Sequence, residues 1–402
     1  MARSSASSSE RLGRSPLPQS GPRVYLDYAG FSPVDPRVVA LMRPFLEGGV
    51  GNPNALHSLG LEARASLDGS RAKVARLFGA TPAGVIFTGS ATEANNLAIK
   101  GVAQRAAARH VVTSAIEHIS VIDSCRDLEK RGWTVTYLGV DADGRVDPDA
   151  VVRAIRAETA LVSIMAANGE IGTIQPLQEI GQVTRARGVP FHVDAVGAAG
   201  RVPLHVDACH IDLLTLSSND LYGPPGAGAL WMRPTVKLAP QILGGGQEQG
   251  YRAGTENLPA IAGMGVAADL ARMEVAGETA RLGGLRDRLL SGLLEQIPEA
   301  RMTGARGAAR LPHHVSIVVP GVKAEGVLME LDLRGIAASS GATCTVMTGE
   351  PSYVLRAIGC DRVAAEGSLC FTLGRWTTAG EIDTVLEAVP AVVARLRRLA
   401  QQ

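Results

Sequence analysis

Polar side chains follow successive apolar segments of this 402-residue chain, where helical patterns begin. One such junction is the run of small residues Gly89-Ser90-Ala91-Thr92, which separates an apolar segment from a helical pattern. Small residues there expose backbone N–H groups at a helix N-terminus, an arrangement that binds phosphate. A plain tight turn with a threonine cap is the alternative interpretation.

Four further junctions carry groups suited to binding a polar ligand. They comprise Glu117 and His118, then Asn168, Glu170 and Gly172, then Asp194, and finally the run from Ser217 to Asp220. Ligands of open parallel sheets bind at the carboxyl ends of the strands, so these groups are expected to converge. Taken singly, each is a cap or an ordinary loop residue. Together they predict a polar pocket for a phosphorylated ligand of aromatic size.

The elements that must position these groups alternate along the first part of the chain. Short segments rich in β-branched residues predict strands at 85–88, 110–114, 134–139, 160–165, 189–193, 212–216 and 227–232. Helical patterns separate many of them, which predicts an α/β fold with a mostly parallel seven-stranded sheet covered on both faces.

A second, smaller α/β domain is predicted after a long helical pattern at 259–296. Two more strands are expected at 314–319 and 369–373, followed by an amphipathic helix at 380–399. The predicted organisation is a disordered tail at 1–23, a large domain at 35–264, and a small domain that combines 24–34 with 265–402.

Composition argues against several classes of partner. Lys+Arg 40 against Asp+Glu 39 gives a net charge of +1, and aromatic residues are 4%. These values provide neither a field that holds nucleic acid or an anionic membrane nor a platform for stacking bases. No apolar run reaches the roughly 18 residues that span a bilayer. We therefore expect no nucleic-acid or membrane partner.

The cysteines indicate a reducing compartment. The chain has five scattered cysteines and no CxxC motif, which disfavours a disulfide scaffold and a zinc ribbon. We expect a cytoplasmic protein. The alternative is mitochondrial, with the Ser- and Arg-rich residues 1–23 as a transit peptide.

Twelve motifs give the chain, from about Val24 onward, a specific resemblance to a known family. They are Y-L-D-Y (25–28), P-V-D-P-R-V (33–38), G-N-P-x-x-x-H (51–57), A-T-E-x-x-N (91–96), E-H (117–118), N-x-E-I-G (168–172), H-V-D-A (192–195), Y-G-P (222–224), G-G-G-Q-E (244–248), R-A-G-T-E-N (252–257), S-S-G-x-x-C (339–344) and E-P-S-Y-V-L-R-A-I-G (350–359). The chain resembles the NifS/IscS-type cysteine desulfurases, which are class V aminotransferases with the aspartate aminotransferase-like fold of pyridoxal-phosphate (PLP) enzymes. The resemblance implies a homodimer that passes sulfur to an acceptor or scaffold protein.

The resemblance also implies roles for matching residues. His118 would stack on the PLP ring, Asp194 would pair with the ring nitrogen, and Cys344 would attack the substrate sulfur and carry a persulfide. A thiolate suits that step because it is soft and partly ionised at neutral pH. The cofactor-binding set is Ala91, Thr92, Asn168, Asp194, Ser217, Asn219 and Thr255, the last reaching in from the second subunit.

The chain departs from the family pattern at the centre of this site. The family pattern S-G-H-K-x-Y-G-P reads Ser-Ser-Asn-Asp-Leu-Tyr-Gly-Pro over 217–224, so Asp220 stands at the position of the cofactor lysine and Asn219 at that of the histidine. A carboxylate forms no imine with an aldehyde. Cys370 replaces the arginine that would clamp the substrate carboxylate. Gly197 replaces a glutamine, and Gly30-Phe31-Ser32 replaces a small-Thr-Thr triplet.

Three hypotheses follow. The first is a protein of sulfur mobilisation or iron–sulfur assembly that has lost PLP-dependent desulfuration and uses Cys344 for sulfur relay, partner binding or cluster ligation. Thiolates are natural cluster ligands, but Cys344 and Cys370 alone cannot complete a four-thiolate set. The second is an active cysteine desulfurase with non-covalent PLP. The third is a different small-molecule reaction in a biosynthetic pathway.

Overall fold

The computed structural model describes residues 23–48, 51–341 and 352–401, and Cys344 lies outside them. The described residues form these strands: β1 (Val24–Tyr25), β2 (Val85–Thr88), β3 (His110–Ser114), β4 (Thr134–Leu138), β5 (Thr159–Ser163), β6 (Phe191–Asp194), β7 (Leu213–Ser217), β8 (Gly228–Met232), β9 (Arg301–Met302), β10 (His314–Val318), β11 (Ile336–Ala337) and β12 (Ser368–Thr372).

They also form these α-helices: α1 (Pro36–Leu46), α2 (Ser58–Leu77), α3 (Ala91–Ala103), α4 (Ile119–Lys130), α5 (Pro148–Ala154), α6 (Leu177–Arg187), α7 (Leu258–Gln296), α8 (Ala324–Leu333), α9 (Tyr353–Ala357), α10 (Arg362–Glu366) and α11 (Ala379–Ala400). Side-chain caps begin many of them. Thr378, for example, forms a reciprocal capping box with Glu381 at the start of α11.

The larger sheet has seven strands in the order β2-β8-β7-β6-β5-β3-β4. Strand β8 is antiparallel to both of its neighbours, whereas the pairs between β7 and β4 are parallel. The prediction of a mostly parallel seven-stranded sheet is confirmed. Leu213 belongs to the core on one face and Leu214 to the core on the other, as strand alternation requires.

One predicted strand begins later than the sequence suggested. Strand β6 starts at Phe191 rather than at 189. The N–H of Val189 donates to the carbonyl of Thr184 and closes the end of α6 instead. Pro190 has no N–H to offer to a neighbouring strand.

A smaller antiparallel sheet of order β12-β10-β9 encloses a second core with α8, α11 and the C-terminal half of α7. The N-terminal segment joins this part of the molecule, since β1 pairs with β11 and Asp27 bridges to Thr372. The exact domain boundaries stay a prediction. No helix in the described part of the chain is long and apolar enough to cross a membrane.

Candidate active site

A cavity of about 410 Å³ opens where the carboxyl ends of β6 and β7 meet the small sheet. Asp194 and Ser217, the last residues of these two strands, line it. Cys370 on β12 and His314 on β10 line it from the small sheet. The fold therefore brings together groups that lie far apart in the sequence.

The N-terminus of α3 forms one wall of this cavity. Ser90 caps the helix by accepting a hydrogen bond of 3.2 Å from the N–H of Glu93, and Ala91 and Thr92 begin the helix and line the cavity. A Cβ atom on Gly228 would lie 2.5 Å from the backbone of Ser90, so the absence of a side chain lets β8 pass close to this turn. The helix N-terminus presents partial positive charge to an anion.

A hydrogen-bonded chain joins Asp194 to His118. The side-chain amide of Asn95 donates to Asp194 at 2.7 Å and to the hydroxyl of Ser120 at 2.9 Å. That hydroxyl lies 2.8 Å from Nδ1 of His118. The N–H of Val196 also donates to Asp194 at 3.0 Å. The carboxylate and the imidazole are thus fixed in place before any ligand arrives.

The sequence analysis missed Asn95 and Ser120. The available signal was spacing, because Asn95 follows Ala91 by one helical turn and Ser120 follows His118 by two residues. Neither spacing shows that Asn95 on α3 bonds both to Ser120 on α4 and to Asp194 at the end of β6.

Asp220 lies in the single helical turn that follows β7 and lines the cavity. Burial raises the pKa of its carboxyl to about 6, while a hydrogen bond with Ser217 and the charge of Arg201 lower it and the charge of Asp194 raises it. Its protonation therefore changes near neutral pH. The same bond engages the side chain of Ser217, which was predicted to bind the cofactor.

The structure places Asn219 differently from the prediction. Its side-chain amide donates to the carbonyl of Ser32 at 2.9 Å and accepts from the N–H of Ser32 at 3.3 Å. Asn219 is not among the residues that line the cavity. These two bonds fasten the N-terminal segment to the turn, and the contact of Asn219 with a cofactor stays a prediction.

Asn168 lines the cavity but is largely committed to the backbone. Its amide donates to the carbonyl of Ile116 at 2.9 Å and accepts from the N–H groups of Glu170 and Ile171 at 2.9 and 3.0 Å. The residue therefore shapes the loop after β5. One amide hydrogen is left for a ligand.

Cys370 is buried between the cavity and His314, with its sulfur 3.4 Å from Nε2 of that ring. The same nitrogen lies 2.9 Å from the carbonyl of Gly169. Burial raises the pKa of the Cys370 thiol strongly, and the carboxylates of Asp27 and Glu170 raise it further. The thiol stays protonated at neutral pH and is a poor nucleophile.

Two glutamates in the cavity wall hold their protons unusually well. Burial raises the pKa of Glu117 to about 8, although its carboxyl accepts hydrogen bonds from the hydroxyl of Ser114 at 2.6 Å and the N–H of Met165 at 3.0 Å. Burial also raises the pKa of Glu170 to about 7, against a hydrogen bond with Ser352 that lowers it.

Thr255 does not reach this cavity within its own chain. It lines a smaller cavity beside Gly89 and Arg252. Cys344, predicted as the sulfur carrier and as a cluster or metal ligand, lies outside the described residues. Within the described ranges, no group of three or more His, Cys, Asp or Glu side chains could hold a metal ion.

Comparison of the chain with known proteins identifies its family. The family model for aminotransferase class-V matches residues 24–385. This chain belongs to the class-V aminotransferase family. Cysteine desulfurase IscS 1 of Archaeoglobus fulgidus is 43% identical over 378 residues, which cover 94% of this chain and 98% of that relative.

Solved structures give the same family picture. A NifS-like protein superposes with a TM-score of 0.87 at 33% identity, covering 93% of this chain and 100% of the other. SspA, solved in complex with cysteine, superposes with a TM-score of 0.77 at 33% identity and covers 88% of this chain and 100% of the other. The resemblance to NifS/IscS-type cysteine desulfurases is confirmed.

The residues fit PLP at two places and not at a third. The N-terminus of α3 suits its phosphate, and Asp194, held by Asn95, suits its ring nitrogen beside His118. At the position for covalent attachment, Asp220 offers a carboxyl group that cannot form an imine.

Proposed function

We propose that this protein mobilises sulfur from an aminothiol such as cysteine while holding PLP without a covalent bond. The observation that carries the proposal is the chain from Asp194 through Asn95 and Ser120 to His118. It supplies a fixed carboxylate and imidazole around the cavity, although the attachment position carries Asp220. Relatives named cysteine desulfurases support sulfur mobilisation as the activity.

The residues of the cavity have distinct roles in this proposal. The N-terminus of α3 binds the phosphate, Asp194 keeps a proton on the ring nitrogen, and His118 covers the ring. When bound, PLP supplies an electron sink for bond breaking next to the substrate nitrogen. The thiolate of Cys344 attacks the substrate sulfur, the carbon–sulfur bond breaks, and its electron pair stays with the substrate carbon, which takes up a proton. Cys344 then carries a persulfide and passes the outer sulfur to an acceptor protein. The second subunit of a homodimer contributes Thr255.

Asp220 moves the proton that the amine of a lysine at this position would otherwise move. With a pKa of about 6, its carboxylate accepts a proton and returns it near neutral pH. Its bond with Ser217 and its proximity to Arg201 keep the group in one place. Because the side chain of Asp220 ends in carboxyl oxygens and not in an amine nitrogen, it forms no covalent bond with PLP, and the cofactor stays exchangeable.

The first experiment is a PLP titration followed by visible absorption and circular dichroism. We expect saturable binding with an induced dichroic signal that dialysis removes. Asp194→Ala should bind more weakly, and Asp220→Lys should retain PLP through dialysis. Asp332→Lys, which adds the same amine at an exposed position, serves as the control.

The second experiment measures sulfide release from L-cysteine by the PLP-loaded protein, with dithiothreitol present to reduce the persulfide. We expect turnover that falls about 100-fold or more in Asp220→Asn, the scale on which general acid–base groups act. A wild-type protein whose spectrum and dichroism do not respond to PLP would refute the proposal.

A second candidate is a cofactor-free scaffold that relays sulfur through Cys344. The bond between Asp220 and Ser217 favours it, because that bond engages one of the residues predicted to bind the cofactor. Mass spectrometry after treatment with a persulfide donor, without PLP, should then show a persulfide that Cys344→Ser lacks. An iron–sulfur cluster shared with a partner would instead give sulfur-to-iron absorption bands that are lost in the same variant.

A further inference from the structure

Acidic side chains outnumber those of lysine and arginine in the lining of the cavity. Five carboxyl groups contribute to it, those of Asp27, Glu117, Glu170, Asp194 and Asp220. Among the described lining residues there is one arginine, Arg201, and no lysine. Residues 342–351, which lie outside the described ranges, contain neither lysine nor arginine.

Arg201 is already engaged with the protein. One terminal nitrogen donates to the hydroxyl of Tyr222 at 2.6 Å, and the other donates to the hydroxyl of Ser32 at 3.3 Å and the carbonyl of Asp220 at 3.4 Å. Its guanidinium also lies over the ring of Tyr222, 4.7 Å from the centroid. A bidentate hydrogen-bonded pair between Arg201 and a ligand carboxylate would have to replace these bonds.

Arg310 does not supply the missing cation either. Its nitrogens donate to the carbonyls of Ala305 at 2.7 Å, of His314 at 3.1 Å, and of Thr303. The residue is buried and is not part of the cavity lining. The guanidinium of Arg310 is engaged in hydrogen bonds that hold the loop before β10.

The surroundings of Cys370 are acidic and offer hydrogen-bond acceptors. A Cβ atom on Gly341 would lie 2.9 Å from Cγ of Glu170 and 3.5 Å from Cβ of Cys370, so these two side chains meet at the same spot. Asp27 bridges by its backbone to Thr372, two residues along β12 from Cys370 and on the same face.

His313 provides an independent sign of a ligand. It is 4% exposed and lines the cavity, and its Nδ1 has no hydrogen-bond partner among the described residues. A buried polar atom without a partner is costly, so a ligand group is expected to satisfy it. In the tautomer with the hydrogen on Nε2, Nδ1 of His313 accepts a hydrogen bond from an N–H donor.

We propose that the cavity binds a primary ammonium ligand without an adjacent carboxylate, so that the preferred substrate is a decarboxylated aminothiol rather than an α-amino acid. This inference rests on the proposed function in placing the substrate in the same cavity. Carboxyl groups that are ionised at neutral pH, such as that of Asp220, attract the ammonium, whereas a ligand carboxylate would meet no uncommitted arginine or lysine among the described lining residues.

The test compares two ligands that differ only in the carboxylate, 2-(methylthio)ethylamine and S-methyl-L-cysteine. Neither has a free thiol, so neither closes a ring with the PLP aldehyde. Calorimetry is run on the protein as purified and after PLP loading and desalting. We expect the amine to bind at least ten times more tightly in each state.

Equal affinity, tighter binding of the amino acid, or no measurable binding of the amine would overturn the inference. The separate PLP titration keeps the two proposals distinguishable. PLP binding combined with a preference for the amino acid contradicts the substrate class alone. Amine preference without any PLP response contradicts the proposed function alone.

Variants test which residues cause the preference for the amine over the amino acid. Cys370→Arg should shift it toward the amino acid by tenfold or more, and Cys370→Ser, which adds no charge, should leave it unchanged. Asp220→Asn should weaken amine binding several-fold without weakening that of the amino acid. If Cys370→Arg does not fold, Asp220→Asn decides the question, and unchanged amine affinity in it would contradict the inference.

Discussion

Asn95 donates a hydrogen bond of 2.7 Å to Asp194, although 99 residues separate them in the sequence. The bond crosses from α3 to the end of β6 and fixes the carboxylate that faces the cavity. The helix that presents its N-terminus to an anion also orients the acid group. Helix α3 therefore shapes both parts of the proposed PLP site, although Asp194 itself ends β6.

Replacing Asn95 by leucine should weaken PLP binding about tenfold or more. A hydrogen bond to a charged group contributes roughly 1.5–3 kcal/mol, and the variant removes the donor to Asp194 together with the contact to the neutral hydroxyl of Ser120. Fluorescence or absorption titration with PLP measures the effect. Asn96→Leu is the matched control, because the side-chain amide of this half-buried neighbour donates within its own helix, to the carbonyl of Thr92. Equal losses in the two variants would show that the contact with Asp194 is irrelevant.

Glu117 should make the fold less stable as the pH rises. Its folded pKa of about 8 lies above the ordinary 4.5, so its contribution is fully present below pH 4.5 and is lost as the pH approaches and passes 8. The loss by pH 8 is about 4 kcal/mol, since each pKa unit corresponds to about 1.4 kcal/mol.

Glu117→Gln keeps the shape and the acceptor oxygen but cannot ionise. Urea unfolding of wild type and variant at pH 5, 6.5 and 8 measures the difference. We expect the free energy of unfolding of the variant to decline less across this range. Parallel curves would contradict the assignment of a raised pKa to this residue.

Gly228→Ala should damage the N-terminus of α3. The new Cβ would lie 2.5 Å from the backbone of Ser90, so the turn must shift. We expect weaker PLP binding and a loss of stability of about 1–3 kcal/mol, as for other overpacked sites. Gly283→Ala in α7 is the control, because no atom lies within 4 Å of its added Cβ, and helix propensity predicts a small gain there.

Arg71→Met should destabilise the protein by about 3–5 kcal/mol. Arg71 makes two hydrogen bonds of 2.8 Å with the buried Glu248, which also accepts from the N–H of Phe87 at 2.8 Å. Removing the cation leaves a buried charge without its partner. Thermal unfolding measures the loss, and Arg64→Met, exposed on the same helix, should change stability by less than about 1 kcal/mol. A small effect in Arg71→Met would contradict this account of the pair.

The strands of the large sheet could be predicted because short β-branched segments alternate with amphipathic helices. The polar residues that end those strands, such as Asp194 and Ser217, could be predicted to meet for the same reason. The partners of those residues could not. Whether Asn219 turns toward the cavity or toward Ser32 depends on where the N-terminal segment lies, which no local pattern encodes. Likewise, nothing in the spacing of His313 indicates that its Nδ1 has no hydrogen-bond partner among the described residues.

Helix α7 packs against both hydrophobic cores. Ile261 and Met264 belong to the core under the large sheet, and Leu289 and Leu293 belong to the core of the small one. Its 39 residues span about 58 Å as one continuous rod. Unfolding of either core would remove the packing along half of α7 and so destabilise the helix on which the other core depends. The described parts of the chain are therefore expected to unfold as one cooperative unit.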